Sequence, residues 1–140
     1  NIIMIKYRGG VYMFPEVKKV TFFERRASGE KDTFELNKTR TRNTLRVIAQ
    51  NSNLRQTSKR VEVSDEIFDS FVENLIPMVN NWQRTYLDLS TMGQVEWELD
   101  ILTKNGDSYY YRGVDKFPGN YNKLKGLIRK MKIETQCFVI

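Results

Sequence analysis

The sequence of 140 residues contains no histidine and a single cysteine, Cys137. Those two shortages exclude a good deal of chemistry. Without histidine there is no Ser-His or Cys-His nucleophile pair, no imidazole general base and no imidazole metal ligand. One thiolate and no imidazole leave a zinc site short of its usual ligands. A lone cysteine also excludes an internal disulfide, a weak pointer to a reducing compartment. Cys137 has no base beside it in sequence and reads as an inert packing residue. The chain has no glycine-rich phosphate loop, no Walker pattern and no calcium loop, so no cofactor is expected. Its apolar runs are short. None is long enough to span a bilayer, and the start lacks the basic, apolar and small-residue order of a signal peptide. Cytoplasmic residence is the expectation. Met4, which follows Asn1-Ile2-Ile3, is a candidate native start.

What is present is a composition of 40% hydrophobic and 12% aromatic residues, enough for the core of one domain spanning residues 1–140. The net charge of +6 is unevenly spread. Residues 1–63 hold 14 Lys/Arg against 6 Asp/Glu, and residues 64–140 hold 9 against 11. The basic half is a candidate electrostatic footprint for an acidic partner.

The clearest architecture lies in Val95–Pro118. Val95, Trp97, Leu99 and Ile101 alternate with Glu96, Glu98 and Asp100, the period of a strand with one buried and one wet face. Asn105-Gly106 then signals a two-residue type I′ hairpin turn. That turn would set Lys104 opposite Asp107, Ile101 opposite Tyr110 and Asp100 opposite Tyr111. It also sets Arg112 on the Trp97 face, an awkward place that requires a bulge at Gly113 or a snorkelling stem.

The remaining chain supplies strands and two helices. Strands are expected at Ile2–Tyr7, residues 17–25, Thr33–Thr39 and Thr44–Gln50, with a short edge strand at Lys59–Val63. Val11–Pro15 reads as a tucked loop after a turn at Gly9–Gly10, and Asn51–Ser58 as a mobile loop. A helix is expected over residues 64–86. Ser64 is its N-cap, and its stripe of Ile67, Phe68, Phe71, Val72, Leu75, Ile76, Val79 and Trp82 is interrupted by Pro77. Residues 83–93 connect to the hairpin of 95–114, and a second helix covers residues 119–132, where Gly126 allows close approach of the sheet. The fold class is therefore α+β: an antiparallel sheet of about five to six strands with two main helices on one face. Trp82 and Trp97 should meet in its core.

The segment from about Val63 to Met131 resembles a family of small uncharacterised bacterial α+β proteins. The shared pattern is Trp97 to Ile101, the glycine turn at Asn105-Gly106, the aromatic-glycine run Tyr111-Arg112-Gly113, and the helix start Phe117-Pro118-Gly119-Asn120. Met92-Gly93-Gln94 and Val114-Asp115 depart from that pattern, which has Asp-Gly before the tryptophan and Ser-Asn after the aromatic-glycine. The resemblance implies a bacterial α+β fold and brings no activity or catalytic residue.

Three groups are candidate sites. Lys38, Arg40 and Arg42 project from one side of an extended segment, and Arg46, Arg55, Lys59 and Arg60 follow. Together they could contact an anion or the phosphates of a nucleic acid, with steep salt dependence; the plainer reading is a soluble basic face. Tyr109 and Tyr111 would share the outer face of their strand and could stack bases or ligand rings; cross-strand packing is the plainer reading. Glu96, Glu98 and Asp100 share a strand face and suggest a divalent-cation site or an acid/base pair. Side chains at i and i+2 stand about 7 Å apart, too far for easy chelation. Arg25-Arg26 beside Ser28-Gly29 offers a fourth, weaker anion nest. The function expected from all this is a non-enzymatic binding or interaction module for a protein partner or a second copy. A nucleic-acid-binding protein is the alternative, and a metal-dependent enzyme the weaker one.

Overall fold

A computed structural model describes residues 2–7 and 10–139. The turn expected at Gly9–Gly10 falls partly on Gly9, outside the described residues. The described elements are β1 (Ile2–Tyr7), β2 (Gly10–Pro15), β3 (Val17–Arg26), β4 (Lys31–Lys38), β5 (Asn43–Gln50), β6 (Gln56–Val63), α1 (Asp65–Val79), β7 (Thr85–Leu87), β8 (Val95–Thr103), β9 (Ser108–Val114) and α2 (Tyr121–Thr135).

β3 to β6 form an antiparallel meander. The chain then passes through α1 and returns to the other side of β3, giving a seven-stranded sheet of order β6-β5-β4-β3-β8-β9-β7. The expected five to six strands become seven, and the sheet is mixed because β7 lies parallel to β9. β7 hides in the stretch read as a connector: three residues carry too little period-two pattern to be seen. Val11–Pro15, read as a loop, belongs to β2, which pairs with β1 as a separate ribbon. The expected loop at 51–58 shrinks to a turn, because β6 begins at Gln56. Asn51 Oδ1 closes that turn by accepting the N–H groups of Asn53 and Arg55 at 2.9 and 3.1 Å.

Alternation buries Val20 and Phe22 of β3, Phe34 and Leu36 of β4, Leu45 and Val47 of β5, and Trp97, Leu99 and Ile101 of β8. Both helices cover this face. Phe22 and Phe34 are register partners, and Tyr121 of α2 packs on Phe22 while Phe71 of α1 packs on Phe34, at centroid separations of 6.0 and 5.3 Å.

α1 starts as its sequence signals, with Ser64 Oγ accepting the Ile67 N–H at 3.2 Å. It ends at Val79 rather than running to 86. Pro77 occupies the last turn and offers no N–H to the carbonyl of Glu73. Trp82 is reached by a turn, and its ring meets Trp97 edge-on at 5.7 Å. Asn120, just before α2, bonds to the α1 end rather than to its own helix. Its Oδ1 accepts the Trp82 indole N–H at 2.6 Å, and its Nδ2 donates to the Met78 carbonyl at 2.9 Å. α2 runs on to Thr135, and Gln136 closes it in the left-handed conformation.

The β8–β9 register is one residue away from the expected one. Trp97 faces Gly113, Glu98 faces Arg112, Leu99 faces Tyr111 and Asp100 faces Tyr110. The connection is a three-residue loop, Lys104-Asn105-Gly106, in which Thr103 accepts the Gly106 N–H at 3.0 Å and donates to the Asp107 carbonyl at 2.9 Å. Gly106, at φ +91°, takes the left-handed position that this loop requires. A shift of one residue reverses the faces. Arg112 therefore points outward, and Gly113 lies beneath the Trp97 indole. Lys104 pairs with Glu16 at 3.3 Å instead of Asp107.

Candidate functional site

Strand alternation carries Glu24 to the same covered face as Val20 and Phe22. Its side chain is 8% exposed, so the charge needs partners. Tyr121, the first residue of α2, donates its hydroxyl to Glu24 at 2.5 Å. Lys125, one turn further along the same helix face, places Nζ 3.1 Å from the carboxylate. Arg26 approaches at 3.7 Å and also pairs with Asp32 at 3.4 Å. This network forms one end of a cleft of about 420 Å³ between α2 and the β3–β4 pair. Phe22, Phe34 and Ile128 give it an apolar lining; Arg26, Lys125, Arg129 and Lys132 supply four cations against the carboxylates of Glu24 and Asp32. A pocket of this size with a few convergent polar groups suits a small organic ligand. Gly126, expected to admit the sheet, lies on the cleft lining, where an added Cβ would meet nothing within 4 Å.

Burial and the bond to Glu24 hold the Tyr121 phenol far above its ordinary range. Tyr110 is 39% exposed, but partial desolvation and the neighbouring Glu98 push its phenol up to about 12, and burial raises Tyr111. Folding thus favours the neutral phenols. The stability they contribute is intact below about pH 10, where unfolded tyrosine ionises, and is lost as pH rises through the folded values. In an absorbance titration at alkaline pH, Tyr110 and Tyr121 should remain un-ionised at about pH 11 while the protein stays folded. A single ionisation step near pH 10 for every tyrosine of the folded chain would contradict this.

The sequence-predicted basic residues do not form one surface, because strand alternation divides them. Lys38 lies on the covered side, over the Phe68 ring at 4.6 Å and near Asp65 and Asp69 at 3.9 and 3.6 Å. Lys59 is also on that side and donates to the Gln136 carbonyl at 2.9 Å. Arg46 and Arg60 are register partners on the open face. Arg42 pairs with Glu62 at 3.4 Å, and Arg55 sits at the opposite end of the sheet. Lys38, Arg40 and Arg42 do come together. With Lys18 and Lys104 they ring a polar recess of about 470 Å³ that also holds Glu16 and Asp65.

Tyr109 and Tyr111 share a face, but the shifted register makes it the covered one. Tyr111 is buried and meets Trp82 edge-on at 5.6 Å. Tyr109 packs on Phe14 at 4.9 Å. The Arg84 guanidinium lies over both rings, at 5.6 and 5.2 Å from their centroids. Glu96, Glu98 and Asp100 stay on the open face. Glu96 pairs with Arg25 at 3.4 Å, and Asp100 accepts the Ser108 hydroxyl. Among the described residues no three His, Cys, Asp or Glu side chains converge as a metal site, and no helix is long and apolar enough to cross a membrane. Cys137 is buried, and burial raises its thiol.

Glu24, Tyr121, Lys125, Arg129 and Lys132 do not stand out as a group in the sequence. One signal was available: Glu24 continues the inward period of Val20 and Phe22, and a charge on that period needs partners. No protein-family model and no curated protein matches the chain.

Proposed function

We propose that this protein is a non-enzymatic binding module whose ligand occupies the cleft between α2 and the β3–β4 pair. The observation that carries the reading is the cleft itself, apolar at Phe22, Phe34 and Ile128 and lined by four cations. Of its two carboxylates, Glu24 is already held by Tyr121, Lys125 and Arg26, and Asp32 pairs with Arg26. Glu24 therefore anchors α2 to β3 and leaves the rest of the lining to meet a ligand. Amide chemical-shift mapping with small fragments of mixed charge tests this. Shifts should gather on Thr33, Asn122, Lys125, Gly126 and Arg129, and Gly126→Trp should remove them by filling the space beside α2. Fragments that cluster elsewhere, or none that bind, would end the reading.

Nucleic-acid binding is the second reading. It is favoured by the convergence of Lys18, Lys38, Arg40, Arg42 and Lys104 around the recess at the turn end of the sheet. Three of these come from the basic run seen in the sequence. Such binding would weaken steeply with salt, and would appear in the same mapping as shifts on Arg40 and Thr41 when a short oligonucleotide is added.

A further inference from the structure

On the footing that the cleft is the working site, we infer that its ligand is an amphipathic organic anion: a carboxylate, phosphate or sulfonate head on an aromatic or short aliphatic body. Lys125, Arg129 and Lys132 follow one another at i, i+4 and i+7, so α2 lays a row of cations along one wall. The opposite wall, from β3 and β4, adds Arg26. These cations are not equally occupied. Lys125 is engaged by Glu24, and Arg26 by Glu24 and Asp32. Arg129 and Lys132 have no carboxylate partner among the described residues; the neighbouring Lys130 takes Glu134, at 3.8 Å. The charge left over in the cleft is therefore positive, and it sits at the part of the row away from Glu24. A cationic ligand would meet that excess while both carboxylates are already bonded. An anion gains from it, and the arginine fork suits a planar carboxylate or a tetrahedral phosphate.

The apolar part of the lining decides the rest of the ligand. Phe22, Phe34 and Ile128 are buried members of the core that also line the cleft. Packing leaves only 6, 2 and 6% of them open; an attached ring or chain would cover that remainder together with the methylene stems of Lys125, Arg129 and Lys132, which an inorganic ion alone would not. Gly126 lines the cleft beside this row and contributes no side chain, which leaves room for such a body against α2.

Anilinonaphthalene sulfonate is the probe, used with the full chain and with native circular dichroism verified throughout, since partly unfolded states also bind it. The expected result is enhanced, blue-shifted emission that saturates and that Gly126→Trp abolishes. Arg129→Glu with Lys132→Glu should weaken binding by about tenfold or more, the size of one charge-assisted hydrogen bond. Neutral phenylnaphthylamine should bind more weakly by a similar factor. If the neutral compound binds as tightly and Gly126→Trp still abolishes it, the cleft stands as the site and the anionic ligand is refuted. If the double variant binds the sulfonate undiminished, the anionic ligand is likewise refuted. If neither compound binds the folded protein, the cleft itself fails as a site for this class.

Discussion

Gly113→Ala should destabilise the fold by about 3–5 kcal/mol, most of the stability of a marginal domain. A Cβ at position 113 would stand 2.2 Å from Trp97 Nε1, 2.5 Å from Cε2 and 2.7 Å from the Lys116 carbonyl oxygen. None of these is the loose end of a flexible side chain. The indole is fully buried and is held by ring contacts to Trp82, Tyr86 and Tyr121 at 5.7, 5.9 and 5.2 Å. Its N–H donates to the Lys116 carbonyl at 2.9 Å. To admit the methyl group the indole must leave that carbonyl, and the β9–α2 connection must move with it. Urea unfolding followed by tryptophan fluorescence measures the loss. Gly119→Ala, where an added Cβ meets nothing within 4 Å, is the control and should stay within about 0.5 kcal/mol of the parent. In the double variant with Trp97→Ala the two costs should fall short of additive, because removing the indole removes the clash. A Gly113→Ala protein within about 1 kcal/mol of the parent would show that Trp97 does not pack as described.

That glycine also shows how much the sequence could disclose. Period-two alternation placed Trp97, Leu99 and Ile101 inside, and the structure puts them there. It could not choose between a two-residue and a three-residue loop, because Asn105-Gly106 serves both: a type I′ turn uses both residues, and the longer loop needs only Gly106 in the left-handed position. The awkward place this gave Arg112 was the clue. Shifting the register by one residue puts a glycine beneath the indole and sends the guanidinium outward, opposite Glu98. Tyr109 and Tyr111 changed faces by the same step. Charge was less legible than apolar pattern. A run such as Lys38-Thr39-Arg40-Thr41-Arg42 looks continuous in sequence, yet a hairpin turn and two alternating strands distribute its residues and their successors over both faces. The cleft was the least legible feature, since Glu24 meets Tyr121 and Lys125 only across separations of 97 and 101 residues. Local spacing shows that Tyr121 and Lys125 share a helix face, but not what that face covers.

Glu24→Ala should cost about 3 kcal/mol, the lower end for removing one member of a buried ion pair. Lys125 is half exposed, so water replaces part of what its ammonium loses. The Tyr121 hydroxyl has no such recourse. The Tyr121 ring is buried against Phe22, Trp97 and Phe117, its phenol is held far above the ordinary range, and without the carboxylate its hydroxyl loses its acceptor. Glu24→Gln keeps an oxygen for that hydroxyl but turns an amide toward the Lys125 ammonium, and should cost about half as much. If the carboxylate and the phenol act as a unit, Glu24→Ala and Tyr121→Phe will be coupled by about 0.5–3 kcal/mol in a double-mutant cycle read by urea unfolding. Additive losses would mean that each residue only packs. The same substitution tests the charge of the cleft. Deleting Glu24 releases Lys125 and relieves Arg26 of one of its two carboxylates. The less stable protein, studied well below its unfolding midpoint, should therefore bind anilinonaphthalene sulfonate more tightly than the parent. Loss of stability with gain of anion affinity is the combination expected if Glu24 both anchors α2 to β3 and offsets cations of the cleft; unchanged or weaker sulfonate binding would show that Lys125 and Arg26 do not meet the anion.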